Sequence, residues 1–234
     1  MGAFCDLHLH SCLSPCADDD MTPWNIVGMA KIKGLDVIAI TDHNAALNAE
    51  DAIAAGEEYG VAVIPGMEIT SKEEVHILAY FYTLKDALAA GNEIYDHLPA
   101  ISNQPLLFGN QIITRDGDMP SGTLDKLLIN ATDLSIDEVC ATVKKHNGIP
   151  IPAHINRGSN GMIGALGLMP FLPAYPVVEV YSKIPCPSYA TNGRFLLHSS
   201  DAHHLEDIQE QEFELPVAPA VSAVLDYIKK KNSI

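Results

Sequence analysis

Basic residues are scarce in this 234-residue chain: 14 lysines and arginines stand against 30 aspartates and glutamates, a formal net charge of −16. That balance excludes broad electrostatic capture of nucleic acid or of an anionic membrane, yet it allows a pocket whose field a bound cation reverses. Aromatics make up only 6% of the chain, with one tryptophan, so a basic strip interleaved with stacking rings is missing too. Apolar residues nowhere run on for the ~18 positions that a membrane helix takes. The first strand is expected to begin near Ala3, which leaves no room for a secretory leader. Five cysteines (Cys5, Cys12, Cys16, Cys140 and Cys186) form an odd set, and the expectation is a reduced, cytoplasmic protein without disulfides. No internal repeat or low-complexity linker divides the chain. At 47% hydrophobic content it is expected to fold as a single domain over 1–234.

What is present is an alternation of strands and helices. Residues 3–9 read as a strand, and Thr22-Pro23 opens a helix with an N-cap and a proline at N1. Ile26, Val27, Met29, Ala30 and Ile32 give it an apolar face, and Gly34 stops it. Val37–Thr41 has the continuous apolar character of a buried parallel strand. A helix over 49–59 and strands over 61–65 and 75–82 follow. Residues 83–134 break the rhythm and are expected to form an excursion on the rim, with 106–108 and 111–114 pairing as a hairpin near the turn Asp116-Gly117. Ser135-Ile136-Asp137-Glu138 is a capping box. Strands at 150–154, 177–181, 195–199 and 212–215 and a helix over 220–231 complete the pattern. Unbroken strand–helix alternation predicts an α/β fold with a parallel sheet covered by helices.

Five segments, with His76 inside an apolar run as a sixth candidate, place histidines and carboxylates at the C-terminal ends of these strands, where closed α/β barrels carry their chemistry. His8-x-His10 has strand spacing, so both rings share a face. Asp42-His43 ends a buried strand. Glu68 follows Gly66 and suits a carboxylate bridging two ions, or alternatively a helix cap. His76, His154 and the pair Asp201-x-His203 complete the set. Taken singly, His76 reads as a core histidine and His154 as a strand-end residue. Jointly they point to a multinuclear metal centre. Imidazole mixed with carboxylate suits zinc, manganese or iron better than calcium or magnesium.

In Asp6-Leu7-His8-Leu9-His10-Ser11, Thr41-Asp42-His43, Glu68, Val75-His76-Ile77, Ala153-His154 and Ser200-Asp201-Ala202-His203, taken in this order, the chain resembles the polymerase and histidinol phosphatase (PHP) family. The resemblance implies a distorted seven-stranded (β/α) barrel around two or three divalent metal ions (zinc, manganese or iron) that hydrolyses phosphoesters. It implies one ion on His8, His10, Glu68 and Asp201 and a second on Glu68, His76 and His154. A third would use His43, His203 and a residue of the loop before the first helix. Asp18 is taken for that place, with Asp19, Asp20 and Cys16 as alternatives.

The expected reaction is hydrolysis of a phosphomonoester by a metal-bound hydroxide, with Asp201, His203, Asp42 and Arg157 as the catalytic candidates. Arg157 would face the phosphate, with Arg194 or Lys183 next in line. His203 or Asp42 would assist the leaving group's proton. The partner is a small phosphorylated metabolite or nucleotide, or a short oligonucleotide end, with no membrane and no stable nucleic-acid binding. Two other classes are open. An amidohydrolase also starts with His-x-His but depends on a bridging carboxylated lysine, and a non-catalytic metal-binding module would bind ions without turnover.

Overall fold

The structure is a computed structural model and describes residues 2–170 and 175–232. Among the described residues there are ten strands: β1 (Ala3–Leu9), β2 (Val37–Ile40), β3 (Ala62–Thr70), β4 (His76–Tyr80), β5 (Ile112–Arg115), β6 (Met119–Thr123), β7 (Ile149–Pro152), β8 (Val177–Glu179), β9 (Phe195–Leu197) and β10 (Glu214–Leu215). The helices are α1 (Pro23–Ile32), α2 (Ala49–Tyr59), α3 (Leu84–Asp96), α4 (Pro105–Phe108), α5 (Ile136–Lys145), α6 (Met162–Leu166), α7 (Ser188–Thr191) and α8 (Val221–Asn232). Local signals account for the longer ones. The Thr22 side chain caps α1, Gly60 closes α2 in the left-handed region at φ 71°, and Ser135 and Glu138 form both halves of the capping box of α5.

Six strands make one sheet in the order β10-β1-β2-β3-β4-β7, and β8 pairs with β9 separately. The sheet curls, so the α/β expectation holds. The seven-stranded ring does not appear in the strand pairings of the described residues. There the gap between β1 and β9 is spanned only by the bridge between Leu9 and Ala202. The sheet is also mixed rather than parallel. β1, β2 and β3 run parallel, but β4 is antiparallel to both β3 and β7, and β10 is antiparallel to β1. The reason is connection length. Only residues 71–75 join β3 to β4, whereas a parallel crossover takes about a dozen residues.

β1 buries both faces. Cys5 and Leu7 pack with Val37, Ile64 and the α8 residues Val224 and Leu225, and Leu9 packs with Ile26, Val27 and Ala30 of α1. Each such aliphatic side chain contributes about 1.5–3 kcal/mol of transfer free energy. The alternate positions Asp6, His8 and His10 are also fully buried, although polar. That is the first structural sign that something on the concave side satisfies them.

Residues 83–134 form the expected rim excursion, with a corrected interior. Residues 105–108 are a helical turn begun by Pro105, not a strand. The hairpin is β5 with β6, folded over Asp116, Gly117 and Asp118, all at positive φ. It clasps the loop after β1. Ile112 N–H donates to Cys12 O at 2.8 Å, Asn48 Nδ2 donates to Ile112 O at 3.0 Å, and Thr114 N–H donates to Asn48 Oδ1 at 3.0 Å. Gly109 is required there. It sits at φ 96°, and a Cβ would lie 2.0 Å from Pro15 O.

Candidate metal centre

Strand ends bring His8, His10, His43, Glu68, His76, His154 and Asp201 into one pocket, with His203 at its edge. Glu68 lies within β3 rather than beyond it, and its neighbours β2 and β4 deliver His43 and His76 to either side. Its Oε1 is 3.3 Å from His8 Nε2, 2.7 Å from His76 Nδ1 and 2.9 Å from His154 Nε2. Its Oε2 is 3.4 Å from His10 Nε2 and 3.3 Å from His43 Nδ1. Asp201 Oδ1 lies 3.3 Å from Nε2 of both His8 and His10. Four donor groups (His8–His10–Asp201, His8–Glu68–His154, His43–Glu68–His76 and His10–His43–His203) each keep one ligand atom per residue within 4.8 Å of the others. Asp201 holds its place at φ 54°, a conformation costly for a non-glycine residue and characteristic of functional sites.

Proton bookkeeping tests whether a cation fits. His8 Nδ1 lies 3.0 Å from a carboxylate oxygen of Glu179, which can only accept, so Nδ1 carries the proton. His10 Nδ1 lies 3.0 Å from Ser14 Oγ, whose single proton goes to Asp42 Oδ1 at 2.7 Å. Nδ1 of His10 is therefore also the donor. Both rings then turn their Nε2 atoms toward each other across 3.2 Å, with Glu68 and Asp201 oxygens around them, a space that takes either a proton or a bound cation. Only a positive charge reconciles so many electron-rich atoms. His43 Nδ1 and His76 Nδ1 are buried and find no hydrogen-bond partner despite their approach to Glu68. The donor set fits divalent ions.

Electrostatics agree. Burial raises the Glu68 carboxyl, but the His76 and His8 charges and hydrogen bonds from His10 and His154 outweigh it and hold it well below its usual range. Asp201 is likewise depressed, burial being overcome by His8 and His10. Burial lowers His10, yet bonds to Asp201 and Glu68 carry it up to about 9. His8 is also raised, by Glu179, Asp201 and Glu68 against burial. Burial and the His10 charge push His203 down to about 4.

In the ion-free protein, protons on His8 and His10 thus do the work of a cation. Their contribution to stability is full below pH 6.5 and is lost as pH rises through about 9. The ion-free melting temperature is expected to fall across that window while affinity for divalent ions rises, each binding event releasing protons. Calorimetric titration in two buffers of different ionisation enthalpy measures the release, and a proton-neutral titration at pH 7 contradicts it.

Other expected site residues stand differently. Asp42 is buried behind the cluster. It accepts from Ser11 N–H at 2.7 Å, Ser11 Oγ at 2.6 Å and Ser14 Oγ, so it reaches His10 only through Ser14. Asp18 is not brought in. Its carboxylate is exposed and pairs with His204 Nδ1 at 2.7 Å. The loop turns back at residues 11–18, and Asp18 N–H donates to His203 O, so the side chain points away from the pocket. Asn110 holds Asp19 at 2.8 Å, while the thiol of Cys16 is free and its residue exposed. Arg157 pairs with Asp201 and stacks over the Tyr181 ring at 4.6 Å. Arg194 is turned to the carbonyls of Tyr175 and Ala190, and Lys183 lies 5.9 Å from the Tyr181 ring. Glu179 and Ser14 are absent from the sequence-derived set. A charged residue ending the apolar run Val177-Val178 was the available signal for Glu179, the same signal that marks Asp42.

A curled α/β sheet whose strand ends gather imidazoles and carboxylates is suited to holding divalent ions. The family model of the PHP domain matches residues 6–115. The matched stretch holds His8, His10, His43, Glu68 and His76, and the fold adds His154, Asp201 and His203. The chain is 37% identical over 76 residues to an uncharacterized protein of Methanocaldococcus jannaschii, and 34% identical over 76 residues to a 5'-3' exoribonuclease of Haemophilus influenzae. These matches cover 29% and 31% of this chain but only 44% and 27% of the relatives, so the chain spans less than half the length of either.

Among solved structures it resembles a Bifidobacterium adolescentis protein assigned as a metal-dependent phosphoesterase (TM-score 0.57, 20% identity, 85% of this chain and 87% of that one). It also resembles a lesion-specific endonuclease of Pyrococcus furiosus (TM-score 0.60, 19% identity, 88% and 49%). An amidohydrolase of Chromobacterium violaceum aligns too (TM-score 0.60, 14% identity, 98% and 97%). At these identities the structural likenesses establish the fold. No helix among the described residues is long and apolar enough to cross a membrane.

Proposed function

We propose that the chain hydrolyses a phosphomonoester of a small metabolite or nucleotide with the help of two or three divalent ions (zinc, manganese or iron). The observation that carries this reading is the pair of Nε2 atoms of His8 and His10, turned toward each other 3.2 Å apart between Glu68 and Asp201. His8, His10, Glu68 and Asp201 would hold one ion, and Glu68, His76 and His154 another. A third would rest on His43, His203 and His10, without Asp18. Such ions, when bound, lower the pKa of a water and neutralise phosphate charge.

The remaining chemistry belongs to side chains. The Arg157 guanidinium, fixed over Tyr181 beside Asp201, is suited to binding a phosphate oxygen with two parallel hydrogen bonds. Neutral at pH 7, His203 has its Nδ1 2.9 Å from Asp201 O, so Nδ1 donates there and Nε2 is free to coordinate or to accept a proton. Asp42 orients His10 rather than touching substrate. Glu68 at the centre, where an amidohydrolase uses a carboxylated lysine, favours phosphoester over amide chemistry.

The net charge of −16 supports a small substrate. A second reading, trimming of short oligonucleotide ends, is favoured by the exoribonuclease relative. Phosphorylated metabolites, nucleotides and 5'- or 3'-phosphorylated oligonucleotides offered with manganese or zinc decide between them. Release of inorganic phosphate from monoesters is expected. Release of mononucleotides alone favours the second reading, and no turnover of any class overturns both. Arg157→Ala is expected to raise KM by about 10–100-fold, as for a lost hydrogen bond to a charged group, with bound metal unchanged. Arg157→Lys recovers part of it. An unaltered KM removes Arg157 from substrate binding.

A further inference from the structure

Glu179, the last residue of β8, is buried at 1% exposure, and its sole ion-pair partner among the described residues is a histidine, His8. A carboxylate so deep in the protein is costly unless its hydrogen bonds serve the structure or the site. Its oxygens are committed to two points of the cluster. Oε2 lies 3.0 Å from His8 Nδ1 and accepts from the backbone N–H of His154 at 2.9 Å, while Oε1 lies 3.2 Å from the same His8 nitrogen. One side chain therefore ties β1 to His154, two residues past the end of β7. His154 is at φ 21°, outside the ordinary backbone regions, so that N–H bond helps hold a strained link.

The consequence appears on the far side of both rings. With Nδ1 of His8 held by Glu179, its Nε2 is left facing Glu68 Oε1 at 3.3 Å, and His154 Nε2 faces the same oxygen at 2.9 Å. His8 also belongs to the group with His10 and Asp201. Like His10 and His43, it is shared by two adjacent donor sets, and it alone among them pairs with Glu179.

We propose that Glu179 is a positioning residue that aligns His8 and His154 for two neighbouring ion positions at once. The inference rests on the metal-centre reading and extends it. A carboxylate behind a coordinating histidine fixes tautomer and ring orientation and raises basicity, and removing such a partner costs about 10–100-fold in metal affinity. Because His8 is shared, the loss falls on more than one ion together.

Zinc binding by the full chain, measured against a competing chelator, tests this in Glu179→Gln and Glu179→Ala. Glutamine keeps the shape and an accepting oxygen but not the charge. The Gln variant is expected to melt, ion-free, close to wild type while binding zinc about 10-fold more weakly, and the Ala variant approaches 100-fold. Stoichiometry should drop by more than one ion at a zinc concentration that saturates wild type. Nitrogen NMR of the zinc-loaded wild type should show His8 protonated at Nδ1 and bound through Nε2, with that single form lost in the Ala variant. Wild-type zinc affinity in both variants overturns the inference, as does a Gln variant whose zinc loss tracks loss of the ion-free fold. A wild-type chain that binds no zinc overturns the metal centre itself.

Discussion

Glu68→Gln is expected to cut turnover by about 10²–10³-fold, the scale of losing one preorganised charge-stabilising group. Bound metal should fall in the same variant. Glu68 is 1% exposed and lies within 3.4 Å of nitrogens from five histidines, so one uncharged oxygen cannot replace what both of its oxygens do. The substitution preserves volume, and the strand hydrogen bonds that pair Glu68 with Leu78 belong to the backbone. Circular dichroism should therefore remain near wild type while elemental analysis and kinetics change. Full metal content with full turnover would remove Glu68 from the centre and take the bridging assignment with it.

Stripping divalent ions should destabilise the protein markedly. Ligand present at about 1,000 times its dissociation constant adds about 4 kcal/mol. For a chain of 234 residues, where each kcal/mol moves the midpoint by about 2–4 °C, chelation is expected to lower the melting temperature by about 8–16 °C. Manganese or zinc should restore it. Calcium and magnesium should restore little, because the donors are largely imidazole nitrogens. Differential scanning calorimetry of stripped and refilled protein measures the shift. Equal melting temperatures of stripped and refilled protein would mean that the cluster binds no ion.

Much of this is readable in the sequence, for a local reason. Alternation along β1 fixes His8 and His10 on one face, and capping residues fix the ends of α1, α2 and α5. Each of these is decided within a few residues of chain. Asp18 and Asp42 mark the limit. Both are carboxylates beside the correct loop, yet one pairs outward with His204 and the other lies behind Ser14. Side-chain direction in an irregular loop depends on what packs over it, here the hairpin of β5 and β6 and the chain at Gly109.

The sequence by itself determined the alternation of elements, the excess of acid and the set of strand-end histidines and carboxylates, because short-range sterics and periodicity govern those. Tertiary structure alone decided that β4 turns back antiparallel, that β8 brings Glu179 behind His8, and which nitrogen each imidazole turns inward. Those outcomes depend on hydrogen bonds between residues as far apart as His8 and Glu179, and the partner at the other end of such a bond leaves no trace in the local pattern.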